Sequence, residues 1–280
     1  AGLFFAYQFL LRVLPNVINE ELMQLLSVDA SELGFILSFY WIAYVGMQLP
    51  LGFTMDRFGP RVFILSGAIL CTISCCFYAF TNSPIVAAIV LFLMGMGSAC
   101  SFLGCLKLGT LWFEAKDMGK PIAMTYTLGT LGACVGGTPI RYTYDEFGFS
   151  NTLLILGICG ALISLLIYFF VHNKPLHLVH DKTVDIYKNP HPWHDISHII
   201  KKPQSWVLFC YSMLMYAPVV VMGTAWGVPF LERAYDLKEG LAAPIFAAMF
   251  MGASMGSPVF SVLSDYFKNR RYVMLWGAIV

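Results

Sequence analysis

The stretch Gly52-Phe53-Thr54-Met55-Asp56-Arg57-Phe58-Gly59-Pro60-Arg61 separates two long apolar runs, Leu33–Leu51 and Val62–Phe80. Each run is close to the ~20 apolar residues that a helix needs to cross a bilayer. So short a gap between two bilayer-length helices forces an antiparallel hairpin and puts its charges at one membrane face. Gly52 and Gly59 are expected to let the backbone turn tightly and the helices approach closely. Asp56 is expected to pair with Arg57 or Arg61, or to face the positive N-terminus of a neighbouring helix.

Outward from that turn the rest of the chain reads the same way. Of its 280 residues 58% are hydrophobic and 12% charged, with a mean hydropathy of +0.71. Soluble domains are about a quarter charged. The predicted class is an all-α, polytopic membrane bundle. Eight full spans are expected, at 2–20, 33–53, 62–81, 84–112, 121–142, 151–171, 204–230 and 241–262. A ninth apolar run opens at Tyr272 and stops at Val280. At ~1.5 Å per residue it is too short for a ~30 Å core, so the chain reads as a fragment of a longer protein.

Charge sets the expected orientation. With the Asp56 turn cytoplasmic, that side holds Arg57, Arg61, Lys116, Lys120, Lys174, Lys182, Lys188, Lys201, Lys202, Lys268, Arg270 and Arg271. The opposite side holds Arg141, Arg233 and Lys238, while Arg12 and Lys107 lie inside helices. Twelve basic residues against three is the positive-inside bias, with the N-terminus cytoplasmic.

The order of residues in the opening turn resembles the signature loop of the major facilitator superfamily. That loop reads Gly-x-x-x-Asp-Arg-x-Gly followed by basic residues, between the second and third helices. Pro60 stands where the family often has its first basic residue, and Arg61 restores the charge one position later. The stretch Ser261–Arg271 resembles a degraded copy. Asp265 matches Asp56 there, and Arg270 and Arg271 match the basic end, while Ser261, Tyr266 and Lys268 replace the first glycine, the arginine and the second glycine. Such a repeat is what duplicated halves predict. The resemblance implies twelve helices in two six-helix halves. It divides this chain into an N-terminal half (1–172), a cytoplasmic linker (173–203) and the start of a second half (204–280). It also implies a conformational latch made by Gly52, Asp56, Arg57, Gly59 and Arg61, with Asp265, Arg270 and Arg271 in the repeat.

Candidate binding residues come from polar periodicity. Gln8, Arg12 and Asn16 are spaced i, i+4, i+8 on the first span, and Tyr40, Tyr44 and Gln48 repeat that spacing on the second. A polar stripe facing lipid is costly, so both faces are expected to share one cavity, or to bond one another between helices. Pro15 is expected to bend the first span beside Arg12. Lys107 either snorkels to the interface or lines the inner end of the pathway. Tyr126 and Thr130, four apart on the fifth span, add polar groups to the cavity. The glycines of that span, Gly129, Gly132, Gly136 and Gly137, support close packing. The eight cysteines all sit in apolar spans and read as small core residues. His191, His194 and His198 fall on one side of a short amphipathic helix in the linker. His194 and His198 have metal-ligand spacing, but no acid or cysteine completes a site.

No hydrolytic triad, phosphate-binding glycine loop or metal cluster appears in a plausible context. An enzyme, a bound cofactor, a nucleic-acid partner and an ATP motor are therefore not expected. The predicted function is secondary active transport of a small solute by alternating access, coupled to a proton or sodium ion by symport or antiport. A buried guanidinium calls for an anionic partner. Arg12 therefore points to a solute with an anionic group, such as an organic acid, amino acid, small peptide or sugar phosphate. Superfamily branches that carry such solutes also use an arginine in the first helix. The alternatives are a carboxylate from further helices, or a non-transporting nutrient sensor or scaffold of the same fold. Short loops and the lack of an Asn-x-Ser/Thr acceptor fit a bacterial inner membrane without excluding an organelle membrane, and a monomer is expected.

Overall fold

A computed structural model describes residues 1–114, 117–173, 199–236, 241–267 and 270–279. Every regular element among them is helical. The order is α1 (Gly2–Val17), α2 (Asn19–Leu26), α3 (Ala30–Phe58), α4 (Pro60–Tyr78), α5 (Pro84–Trp112), α6 (Gly119–Gly136) and α7 (Thr138–Phe170). Next come α8 (Pro203–Val221), a π-helical turn at Met222–Trp226, α9 (Gly227–Tyr235), α10 (Ala243–Phe267) and α11 (Arg270–Ile279).

Six described stretches are long and apolar enough to cross a bilayer, among them Ala30–Phe58, Pro60–Tyr78 and Pro84–Trp112. The expected first span is divided at Ile18, whose backbone leaves the helical region. Pro15 itself sits within α1, so the break falls three residues beyond it. The expected fifth and sixth spans run as one 52-residue stretch, Gly119–Phe170. A straight helix of that length would reach ~78 Å, more than twice the bilayer core. It bends instead at Gly137 and at Gly148, where φ is 76°.

At the opening turn α3 continues through Phe58, and α4 starts at Pro60. Gly59 alone makes the turn, at a φ of 81° that favours glycine. Pro60 is the first residue of α4, where its missing N–H costs nothing and its fixed φ suits a helix start. Gly52 therefore lies inside a helix, and a Cβ there would meet nothing within 4 Å among the described residues. Its expected role in turning or close packing is not what this geometry uses. The other end of α3 begins with a capping box. Asp29 Oδ1 accepts from the Glu32 N–H at 2.8 Å, and Glu32 Oε2 accepts from the Asp29 N–H at 3.1 Å.

Packing pairs α3 with α5, α4 with α5 and α7, α1 with α6, and α6 with α10. The buried core runs between α1, α3, α4 and α5, with Phe4, Leu33, Ile64, Cys71 and Ala87 among its members. Two glycines explain how close these helices come. A Cβ on Gly132 would strike the Ala6 carbonyl, and one on Gly95 would strike the Tyr40 carbonyl. All eight cysteines are free thiols; Cys71, Cys75 and Cys100 are buried in the core, while Cys159 and Cys210 are exposed. The expected linker helix with His191, His194 and His198 lies outside the described residues.

Candidate functional site

Arg12 sits on α1 with 6% of its surface exposed. Its guanidinium donates from Nη2 to Gln8 Oε1 at 3.0 Å and from Nη1 to the Tyr216 hydroxyl at 3.3 Å. Tyr40 donates to the same Gln8 oxygen at 3.2 Å. Aromatic rings cover the guanidinium itself. Its carbon lies 4.6 Å from the Phe9 ring centre, 4.8 Å from Trp41 and 5.0 Å from Tyr44, with Tyr40 at 6.0 Å. Cation–π contacts of this kind are worth about 2 kcal/mol or more when desolvated. Rings and two neutral acceptors therefore hold the charge, and no carboxylate ion-pairs with it among the described residues. Two donors in this cluster are buried without a partner, Arg12 Nε and Gln8 Nε2.

The structure brings most of the expected binding residues together, but not all of them. Gln8, Arg12, Tyr40 and Tyr44 form one cluster, and the Tyr40 and Tyr44 rings stack at 6.2 Å. Tyr126 joins it from α6, lining a cavity of about 70 Å³ with Phe9, Tyr216, Val219, Val220 and Met249. A smaller space of about 30 Å³ lies beside Arg12, Tyr40 and Trp41, room for about one water. Gln48 lies one turn beyond Tyr44, partly exposed, and makes no hydrogen bond among the described residues. Trp41, Phe9 and Tyr216 were not among the expected binding residues. Spacing alone does not single out an aromatic on an apolar face, and Tyr216 is 204 positions from Arg12.

Asn16 bonds the backbone of a distant segment with both ends of its side chain. Its Nδ2 donates to the Gly223 carbonyl at 3.2 Å, and its Oδ1 accepts from the Val228 N–H at 3.2 Å. These two backbone groups are five residues apart: Gly223 lies within the π-helical turn Met222–Trp226 and Val228 two residues beyond it. The side-chain amide thus bridges a donor and an acceptor where the helical ladder is interrupted. Asn16 ties α1 to the α8–α9 junction with both ends of its amide, and it also lines a small space of about 20 Å³ with Asn19, Glu20, Arg141 and Glu232.

Lys107 forms an ion pair with Asp56, joining α5 to α3. Asp56 does not pair with Arg57 or Arg61. Arg57 lies against the Phe58 ring at 5.3 Å. Arg61 donates to the Tyr168 carbonyl at 2.7 Å, and its backbone N–H donates to Asn173 Oδ1 at 2.9 Å. Asn173 also abuts Gly59, so the end of α7 holds the turn. The backbone of Asp265 lies in α10, and Arg270 and Arg271 open α11, but their side chains lie outside the described atoms.

The opposite end of the molecule carries its own charge cluster. Glu21 pairs with Arg141 at 2.6 Å, Arg141 with Asp145 at 3.0 Å, and Glu20 with Arg233 at 3.3 Å. The last pair joins α2 to α9, on the same side of the molecule as the Asn16 bridge. A groove of about 890 Å³ lies between α3 and α5 and is lined by Phe35, Phe39, Ile85 and Ile89. None of its lining residues belongs to the Arg12 cluster.

The fold and this site define an integral, multi-pass helical membrane protein with a buried cationic and aromatic cluster between its early and late helices. The family model of the Major Facilitator Superfamily matches residues 1–280, and the chain belongs to that family. Among curated relatives, the "Probable sulfoacetate transporter SauU" of Cupriavidus necator is 21% identical over 278 residues, covering 92% of this chain and 61% of the relative. The "Probable L-galactonate transporter" of Escherichia coli is 22% identical over 276 residues, covering 94% of this chain and 60% of the relative. The chain thus spans about three fifths of the length of these relatives. Among solved structures, a bacterial homologue of the human lysosomal transporter Spinster matches with a TM-score of 0.69 and 16% identity. That match covers 96% of this chain and 62% of the homologue, and it supports the fold alone.

Proposed function

We propose that the protein carrying this chain is a secondary active transporter of small organic anions that works by alternating access. Arg12 carries the argument. It is a buried cation with no carboxylate partner among the described residues, and it sits beside unpartnered donors that an acceptor-only ligand can satisfy. Arginine suits that ligand because its planar fork binds carboxylate, sulfonate or phosphate edge-on. The two relatives named above are called transporters of sulfoacetate and of L-galactonate, both organic anions at neutral pH.

On this reading eight spans of a twelve-helix protein are present. Residues 1–172 form one half, 173–203 the linker and 204–280 the start of the other half. The Asp56 end is cytoplasmic, the protein is a monomer in a bacterial inner membrane, and a proton or sodium ion couples transport. Asp56 with Lys107 and the Gly59–Arg61 turn forms the cytoplasmic latch, and the Glu20 end is closed by Asn16 and Arg233. The test is counterflow in proteoliposomes with full-length protein. Saturable exchange of an organic anion is expected in the wild type, and Arg12→Glu is expected to abolish it while leaving membrane insertion unchanged. Transport that survives Arg12→Glu rejects the anion site. No exchange across a panel of organic anions favours a non-transporting sensor of the same fold.

A further inference from the structure

Resting on that reading, we propose that this chain selects organic acids with an apolar body over the polyhydroxylated and short polar acids suggested by the names of its relatives. A ~70 Å³ cavity between α1, α6, α8 and α10 begins at Phe9, whose ring centre lies 4.6 Å from the Arg12 guanidinium carbon. Phe9, Val219, Val220, Met249, Phe250 and Ala253 supply most of its wall. Its polar groups are three hydroxyls, those of Tyr126, Tyr216 and Thr224. Two of these are already engaged. Thr224 donates to the Val220 carbonyl at 2.6 Å, and Tyr216 accepts from Arg12 at 3.3 Å. The site is thus split by chemistry. Unpartnered donors gather at Arg12 and Gln8, and an apolar chamber begins one side chain away, at Phe9.

A bound anion places its head at the donors. Whatever it carries beyond the head is buried against aliphatic and aromatic carbon. Apolar carbon gains from that burial in proportion to the area covered. A sugar-acid hydroxyl in the same place gives up its water and finds almost no acceptor, and buried polar groups left unpaired are costly. Hydroxyl-rich acids are therefore rejected by the body of the pocket even though their carboxylate satisfies Arg12.

Matched six-carbon probes separate the two halves of the claim: hexanoate, gluconate and 1-hexanol. Their binding to full-length detergent-solubilised protein is measured by titration calorimetry and thermal shift at pH 7.4. Hexanoate is expected to bind at least tenfold more tightly than gluconate, a difference of 1.4 kcal/mol at 25 °C. Hexanol is expected not to bind, and it controls for partition into micelles. Val220→Thr, nearly isosteric and away from Arg12, is expected to narrow the hexanoate-to-gluconate ratio severalfold. Gluconate binding as tightly as hexanoate, with both lost in Arg12→Glu, overturns the apolar-body inference and leaves the anion site standing. Hexanol binding as well as hexanoate, or neither acid binding at all, overturns the anion site and this inference with it.

Discussion

The Asn16 bridge makes a sharp prediction about which conformations the protein populates. Asn16→Leu is close to isosteric and removes both polar ends of the bridge at once. In the conformation seen here it leaves the Val228 N–H and the Gly223 carbonyl without their side-chain partner, at a site where Asn16 itself is 1% exposed. A neutral hydrogen bond is worth about 1 kcal/mol net, and a buried group left unpaired costs about 1–3 kcal/mol. Counting only the two lost bonds, the closed arrangement at the Glu20 end weakens by about 2 kcal/mol. That is roughly a 30-fold change in its ratio to an open arrangement, in which water reaches both groups. Electron–electron resonance between spin labels at Gln24 on α2 and Tyr235 on α9, both exposed, reads that ratio directly. The labels are placed in a background with the native thiols replaced. The wild type is expected to show mainly the shorter distance, and the Leu variant a large longer-distance population. Identical distance distributions in the two proteins refute the idea that Asn16 holds this end shut.

Two further predictions concern contacts that residue spacing left unassigned. The Asp56–Lys107 pair is partly exposed, with side chains 42% and 27% accessible, so its worth to stability is modest, about 1 kcal/mol or less. Asp56→Lys and Lys107→Asp are each expected to impair transport, and the double exchange to recover part of it. Equal defects in all three variants argue against a direct pair. Gly132→Val forces side-chain carbon into the Ala6 carbonyl, where nothing can yield except the α1 backbone. Overpacking of this kind costs about 1–3 kcal/mol or more. The variant is expected to lose several degrees of melting temperature or to fail to fold, and a wild-type melting curve shows that α1 and α6 do not meet as described.

Local chemistry explains what was legible in the sequence and what was not. The hairpin around Gly59 was readable because a short charged gap between apolar runs permits few arrangements. That one residue makes the turn was not, because a glycine pair suggests both take part, whereas Gly52 continues the helix and Gly59 does all the turning. Residues Gln8 and Arg12 were correctly grouped because i, i+4 spacing fixes their shared face whatever surrounds it. Asn16 shares that face by spacing, but its hydrogen-bond partners, which spacing does not reveal, belong to a segment more than 200 residues away. The same ignorance of facing helices hid Tyr216 and the pairing of Lys107 with Asp56. Periodicity gives the direction in which a side chain points along its own helix. It does not give the rotation of the helix opposite, and pairings between distant segments depend on both.

The positions of Arg12 and Asn16 on one helix link the proposed binding step to the proposed closure. Both side chains reach the same late segment. Arg12 holds the hydroxyl of Tyr216 on α8, and Asn16 holds the backbone within and just beyond the following π-helical turn. Four residues separate them, a rise of ~6 Å along α1. A ligand shifts a conformational balance only by its difference in affinity for the two states. An anion that claims Arg12 Nη1 competes with Tyr216, so it binds best where α8 has moved away from α1. Closure at the Asn16 level requires α8 and α9 to remain against α1. On the proposed mechanism the two demands oppose one another across little more than a helical turn. Occupancy of Arg12 then favours release at Asn16 with no relay through the rest of the bundle.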